Sequence, residues 1–399
     1  MNRTGRCDWM EAELDALRQQ SLNRCLRIVD DRGEEGGKWL TVGGRRLLNL
    51  SSNDYLGLAG DPRIADAARQ AAEQWGAGAA ASRLICGNHR WYADLEERLA
   101  EWKKREAALV FANGYMANLG VIAALVGRED AVFSDRLNHA SIVDGIILSR
   151  ARHYRYRHND PEHLEHLLKK HAGHRRALIV TDAVFSMDGD AAPLRELVEL
   201  KARYGAMLMV DEAHAGGVRG RRGEGLCHEL GLHDQVDVIM GTFSKAFGVY
   251  GAYVCADRVL IDYLVTKTRP LIYSTGLPPM VVAAVRKALE VVQEEGWRRT
   301  RLRENSAWFR RRLRACGFAV GEGDSPIIPW IVGDNRQALR LSQRLEERGI
   351  AAVAIRPPTV PEGTARIRFS LMATHTREEL EEVIRQMQFA AAAREEETG

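Results

Sequence analysis

From about residue 60 the chain repeats one rhythm: a short apolar run, then a longer stretch with apolar positions three and four apart. The runs "AALVFANG", "DAVFSD", "RALIVTDAVFS", "AMLMVDEAH", "DVIMGTFSK" and "GAYVCA" are short, β-rich and mostly apolar. Between them lie amphipathic helical stretches such as "DPEHLEHLLKKH" and "LRELVELKARYG". Continuous apolar strands separated by helices predict an α/β fold whose sheet is mainly parallel and covered on both faces. Ahead of this region, residues 9–30 keep helical spacing among many charges, which predicts an amphipathic helix without its own core. "KWLTVGGRRLLNLSSNDYLGL" then alternates and turns at Gly43-Gly44, as a short hairpin does. After a long helical region around residues 278–317 the pattern changes. "SPIIPWIVG", a helix with "ALRLSQRLEERG", extended segments and a final helix make a smaller α+β lobe. The predicted organisation is an N-terminal helix and hairpin segment over 1–55, a large domain over 56–285 and a small C-terminal α+β domain over 286–399.

Composition narrows the function classes. The chain has 399 residues, 45% hydrophobic and 28% charged, and a net charge of +3, which is too small for a nucleic-acid partner. Six cysteines are scattered with no C-x-x-C pair and no metal-ligand spacing, the pattern of reduced cytoplasmic thiols. The first twenty residues hold no apolar signal region, and "LGVIAALVG" is far too short to span a bilayer. No membrane, no metal and a cytoplasmic location are therefore expected. The histidines at 163, 166, 171 and 174 share a predicted helix with Leu164, Leu167 and Leu168, which places them on its wet face rather than around an ion.

The distinctive polar residues fall just after strands, where ligands bind in an open α/β sheet. Asp211 and His214 follow "AMLMV", Ser186 follows "ALIVTDAVF", Lys245 follows "DVIMGTFS", and His139 follows "DAVFS" after a few residues. A lysine among small residues in "GTFSKAFGVYG" is an odd place for a charge, because an unpaired buried ammonium is costly. A Schiff base removes that cost, and pyridoxal phosphate enzymes pair such a lysine with an acid on the pyridinium nitrogen. Asp211 suits the acid, His214 a hydrogen bond to the ring oxygen, and His139 a stack on the ring face. A phosphate needs a helix N-terminus, which "FANGYMANLG" supplies at Gly114 and Tyr115, and Thr242 adds a hydroxyl. Taken singly, each piece has a plainer explanation: a loop lysine, a helix cap, a core histidine, a turn.

Together they carry a resemblance. "SSNDYLGL", "FANGYMAN", "NHASIVDG", "FSMDGD", "VDEAHAGGVRGRRGEG", "TFSKAFG" and "IYSTGLPP" resemble the α-oxoamine synthase family of pyridoxal phosphate enzymes, from about Trp9 to about residue 390. "IRPPTVPEGTARIRFSLMATHT" is similar to the biotin-pathway branch of that family rather than the threonine-degradation branch. The resemblance implies the aspartate-aminotransferase-like fold, type I of the pyridoxal-phosphate-dependent transferases. Its large domain has a mainly parallel seven-stranded sheet, beside a smaller α+β C-terminal domain. It implies a homodimer with shared active sites, and a decarboxylative condensation of L-alanine with a pimeloyl thioester of CoA or acyl carrier protein. Lys245 would carry pyridoxal 5′-phosphate and act as base and acid; Asp211, His214 and His139 would serve as above. Ser186 and Asn53 would bond near the ring oxygen and substrate, and Gly114, Tyr115 and Thr242 would hold the phosphate, helped by Ser274 and Thr275 from the partner subunit. Arg356 would clamp the amino-acid carboxylate, and Arg27 and Thr359 match positions that contact the acyl substrate. Tyr92 stands where family members often carry histidine.

Other readings compete, and within the family 5-aminolevulinate and sphingoid-base synthases share the same lysine, aspartate and histidine set. Condensation of glycine with acetyl-CoA uses the same lysine, aspartate and histidine set, so only "IRPPTVP" speaks against it. A non-catalytic pyridoxal-phosphate-binding regulator would normally carry a DNA-binding module, and the roughly fifty residues ahead of the core motifs contain neither a helix-turn-helix nor a basic cluster. A dinucleotide-binding dehydrogenase fails because "GAGAAASRLICG" lacks the G-x-G-x-x-G order and follows a helix-like segment.

Overall fold

The computed structural model describes residues 7–33 and 36–398, apart from the side chains of 393–398. In chain order its strands are β1 (Trp39–Val42), β2 (Arg45–Asn49), β3 (Ala107–Phe111), β4 (Ala131–Asp135), β5 (Arg152–Tyr156), β6 (Ala177–Asp182) and β7 (Met207–Asp211). They continue as β8 (Val238–Thr242), β9 (Ala252–Ala256), β10 (Ile327–Gly333), β11 (Ile350–Ala351), β12 (Val353–Ile355) and β13 (Ala365–Ser370). Two compact units divide the chain. One holds Asn53–Ser186 and Asp190–Leu302; the other holds the chain up to Ser52, Met187–Gly189 and the chain from Arg303 onward.

The first unit is built on a seven-stranded sheet ordered β3-β9-β8-β7-β6-β4-β5. Strand β9 runs antiparallel to both neighbours, and the β8-β7-β6-β4-β5 ladder is parallel throughout. Alternation explains why its strands read as unbroken apolar runs. Phe133, Ile179, Leu208, Val210 and Ile239 enter one core, while Val132, Leu178, Val180, Met209, Val238 and Met240 enter the other. Both faces are buried, so both alternate positions are apolar until the carboxyl ends, where Asp135, Asp182 and Asp211 stand. Strand β5 departs from that rule and was not among the apolar runs. As the outermost strand its "RHYRY" leaves Arg152 and Arg155 in solvent.

In the second unit the expected hairpin forms: β1 and β2 pair antiparallel and turn through Gly43 and Gly44, at φ +55° and +74°. Those left-handed values suit glycine. Strand β2 also pairs in parallel with β11, which ties the N-terminal segment to the C-terminal lobe. A second three-stranded sheet has the order β10-β13-β12. The helix expected over residues 9–30 is shorter, Asp8–Gln19, and no residue on it is buried. Ser21 takes φ +57° and ends it; beyond, Leu26 and Ile28 lie exposed on an irregular strand of chain. The histidine-bearing helix Pro161–Lys170 buries Leu164 and Leu168 as expected, but stops before His171 and His174. Ahead of the break, His171 stacks on Tyr154 with ring centroids 3.9 Å apart, and His174 lies beside the same ring. Among the described residues no His, Cys, Asp or Glu cluster could hold a metal ion, and no helix is long and apolar enough to cross a membrane.

Candidate active site

Parallel strands deliver their carboxyl ends to one edge, and the polar residues collect there. Asp182 ends β6, Asp211 ends β7 and Thr242 ends β8. Lys245 follows in a tight turn closed by Gly248 N–H to the Lys245 carbonyl at 2.9 Å and Val249 N–H to the Phe243 carbonyl at 2.9 Å. A side chain at Gly248 would meet the backbone of Ala59 at 2.3 Å, so the turn that presents Lys245 requires glycine there. These ends, with the heads of the helices Gly114–Leu125 and Ala140–Ser149, enclose a cavity of about 320 Å³. Its wall brings together Lys245, Asp211, His214, His139, Gly114, Tyr115 and Thr242. Lys245 is only half-buried.

Each titratable wall residue has a defined partner. Asp211 accepts from the Asn118 amide at 2.8 Å on one oxygen and from Ala213 N–H at 2.8 Å on the other. His139 caps the Ala140–Ser149 helix: its Nδ1 accepts from Ser141 N–H at 3.3 Å and lies 2.8 Å from the Ser141 hydroxyl. Burial lowers its pKa below the ordinary histidine value against the pull of Asp211, with Lys245 acting in the same direction as burial. His214 Nδ1 lies 2.6 Å from the buried Tyr55 hydroxyl, which also reaches Asn53 Oδ1 at 3.2 Å.

Behind Asp211 sits the fully buried lysine of this region, Lys103. Its Nζ meets Glu212 Oε2 at 2.5 Å, both side chains being 0% exposed, and donates to the Glu224 carbonyl. The rings of Trp102 and Tyr253 lie 4.9 and 5.3 Å from it. Burial opposes its charge, yet Glu212 holds the ammonium protonated well above the ordinary lysine pKa. The other Glu212 oxygen accepts from Cys227 N–H at 2.7 Å. The turn carrying His214 is thereby pinned from beneath.

One end of the cavity fits a phosphate. Asn113 caps the Gly114–Leu125 helix by accepting from Met116 N–H at 2.9 Å, while the Gly114 and Tyr115 amides find no acceptor among the described residues. A Cβ at Gly114 would fall 2.6 Å from the Thr242 methyl, so only glycine allows this approach. The Thr242 hydroxyl is buried without a hydrogen-bond partner among the described residues. An orphaned hydroxyl beside two free helix-head amides is an anion cradle. With an amine and an acid on the same wall, the residues present fit pyridoxal phosphate.

Other expected residues stand elsewhere. Asn53 and Ser186 belong to the same unit but not to the cavity wall. Ser274 donates to the Pro270 carbonyl, and Thr275 bridges to Ser82. Arg27, Arg356 and Thr359 belong to the other unit. There Arg27 pairs with Glu346 at 2.9 Å. The guanidinium on Thr359 is instead that of Arg24, at 3.0 Å from its hydroxyl. Arg356 donates to the carbonyls of Ser21 and Asn23. Burial, with the Arg24 charge acting in the same direction, lowers its pKa. Tyr92 is buried and accepts from Leu277 N–H at 2.5 Å, a structural bond; burial pushes its pKa up to about 12.

Wall or support residues that were not anticipated include Asn118, Ser141, Asp182 and Tyr55. Asn118 had a readable signal, as a lone amide in the apolar helix "GYMANLGVIAAL", one turn after Gly114. Asp182 ends its strand as Asp211 does. Tyr55 is 159 residues from His214 and had no local signal.

Comparison with known proteins bears on this geometry. The chain is 54% identical over 373 residues to a Geobacillus kaustophilus protein provisionally named 8-amino-7-oxononanoate synthase, covering 93% of this chain and 95% of that one. A Bacillus cereus protein with the same provisional name is 52% identical over 377 residues, 94% of each chain. Among solved structures, a serine palmitoyltransferase from S. paucimobilis with bound PLP superposes with a TM-score of 0.92 at 32% identity, covering 98% of this chain and 99% of that one. The 8-amino-7-oxononanoate synthase of Francisella tularensis superposes with a TM-score of 0.76 at 28% identity, over 88% and 98% of the two chains. A family model described as aminotransferase class I and II matches residues 45–387. With its sheet, its strand-end lysine and acid and these relatives, the chain belongs to the class I and II aminotransferase family.

Proposed function

We propose that the protein is a pyridoxal-phosphate-dependent acyltransferase with 8-amino-7-oxononanoate synthase activity, joining L-alanine to a pimeloyl thioester with loss of carbon dioxide. The observation that carries the chemistry is the cavity that holds Lys245 and Asp211 beside the anion cradle of Gly114, Tyr115 and Thr242. The substrate pair follows the curated relatives that match over 93–94% of this chain. Pyridoxal 5′-phosphate, when bound, supplies an electron sink for the amino-acid α-carbon.

The chain supplies the rest. Lys245 Nζ would hold the cofactor covalently and serve as the base and acid for the α-proton. Asp211, which accepts from Asn118 and Ala213, would keep the proton on the ring nitrogen. His139 offers a neutral face to the ring and excludes water from it. Gly114 and Tyr115 N–H groups and the Thr242 hydroxyl bind phosphate oxygens. Arg356 serves the amino-acid carboxylate, a task for which it must release the Ser21 and Asn23 carbonyls. Arg27, paired with Glu346, and Thr359, in contact with Arg24, serve the acyl substrate.

A homodimer in the cytoplasm completes the proposal. Apolar side chains left in solvent support it: Ile85 is 80% exposed and Tyr273, next to Ser274 and Thr275, 71%. The cysteines are free rather than paired, as in a reducing compartment. Thiol release by purified holoenzyme tests the activity, with pimeloyl-CoA plus L-alanine against acetyl-CoA plus glycine. Release with the first pair alone is expected. Release with the second pair alone would keep Lys245 and the cofactor but move the enzyme to amino-acid breakdown.

A further inference from the structure

The mechanism above leaves one carboxyl on the cavity wall without a task, Asp182. Strands β6 and β7 run parallel with Asp182 directly beside Asp211 in register, so both carboxyls leave the same face of the sheet. Both line the cavity, and both are buried, at 3% exposure each. Two carboxyls sharing one buried site do not both ionise near neutral pH; one keeps its proton.

Donors decide which. Asp211 receives one donor on each oxygen, from Asn118 and Ala213. Asp182 receives the His139 backbone N–H at 2.8 Å on Oδ2, and its Oδ1 has no donor among the described residues. With fewer donors, Asp182 is the carboxyl of the two that keeps the proton. We propose that Asp182 works as a neutral carboxylic acid, a positioning residue that fixes His139 at the head of its helix and leaves Asp211 as the single negative charge of the pair. The titratable groups facing it are Asp211 on β7, Asp135 on β4, His139 ahead of its helix, Lys245 after β8 and Tyr156 at the end of β5. Burial, then the Asp211 charge, pushes the Asp182 carboxyl well above the usual range, against the pull of the His139 N–H and Lys245.

The consequence is electrostatic. A neutral Asp182 lets the cofactor's ring nitrogen meet one carboxylate rather than two. The hydroxyl of the protonated acid remains available on a cavity-wall residue. An ionised Asp182 would instead add a second negative charge beside Lys245 and raise the pH at which the lysine-linked chromophore titrates.

This inference rests on Lys245 carrying pyridoxal phosphate, and the test uses Asp182→Asn and Asp182→Ala holoenzymes. Asparagine keeps a carbonyl oxygen for His139 N–H and matches the neutral acid in shape; alanine removes the acceptor. The expected result is an Asp182→Asn chromophore whose pH midpoint stays within about 0.3 unit of wild type, with kcat within about threefold. Asp182→Ala should lose about tenfold in kcat through a displaced His139. A midpoint lowered by about one unit or more in Asp182→Asn, the mark of a lost negative charge, would overturn the proposal. So would an asparagine variant as slow as the alanine one. Should Asp182→Asn fail to fold, infrared spectroscopy of the wild-type protein decides: a buried protonated carboxyl band at neutral pH is expected, and its absence overturns the idea. The chromophore needs no acyl substrate, so a wrong pimeloyl assignment leaves this readout standing. A wild type without the chromophore would sink the cofactor reading, and the infrared band would still judge Asp182.

Discussion

Thr242 offers the cleanest separation of binding from stability at the level of single residues. Its buried hydroxyl makes no hydrogen bond within the described protein, so removing it takes nothing from the fold. Thr242→Val should leave the melting temperature unchanged or slightly raised, while cofactor affinity falls about 10–100-fold, the worth of a bond to a charged oxygen. Equilibrium dialysis of pyridoxal phosphate against the two apoproteins measures it; equal affinities would remove Thr242 from the cradle. Lys245 is the complementary case. Lys245→Ala should abolish the lysine-linked chromophore and reduce turnover by about 10³-fold or more with the circular dichroism spectrum intact. At this scale the sequence revealed the residues whose chemistry stands on its own, a lysine after a strand or a glycine opening a helix. It was silent where meaning depends on register: Asp182 matters because it lies beside Asp211. Arg27 was named from the resemblance alone, and its pairing with Glu346, more than three hundred residues away, had no local signal.

Elements were legible in proportion to their burial. The six apolar runs each became a strand of the large sheet, since a strand covered on both faces must be apolar throughout. The edge strand β5 escaped because half of it faces water, and the first helix was overextended because Leu22, Leu26 and Val29 keep helical spacing beyond Gln19, where the helix ends. Connections between elements carry their own electrostatics. His158, just beyond β5, bridges Asp135 at 3.0 Å and Asp190 at 2.7 Å, holding the end of β4 to the loop after Ser186. Burial opposes its charge, but the two carboxylates raise its pKa from 6.5 to about 9. A raised histidine contributes its full stability below pH 6.5 and loses it as the pH climbs toward 9. His158→Ala should therefore cost about 1–2 kcal/mol near pH 6, discounted for the half-buried setting, and progressively less above pH 8. Urea unfolding of both proteins across pH 6–9.5 would show it; a constant gap would refute the bridge.

For the whole molecule, the family was written in motifs spread over nearly the full chain, and the fold followed from them. The division into units was less plain, because β2 finds its partner β11 three hundred residues later, and sequence order cannot announce such a pairing. Assembly makes a demand of its own. Leu84, Ile85 and Tyr273 leave more apolar surface in water than scattered exposure would need. Sedimentation at micromolar concentration should give twice the chain mass of 44.6 kDa. Ile85→Asp should shift it toward the single chain and lower activity with it, whereas a monomeric, fully active wild type would contradict a shared site.

The Lys103–Glu212 pair beneath the His214 turn also sets a temperature dependence. Taking both ions out of water carries a penalty, and that penalty shrinks on warming because ion hydration is entropically unfavourable. A packed apolar replacement such as Lys103→Met with Glu212→Leu should thus match or exceed the native pair at 10 °C and lose that advantage as the solution is heated. This buried pair makes the ground under the His214 turn relatively firmer in the heat than in the cold.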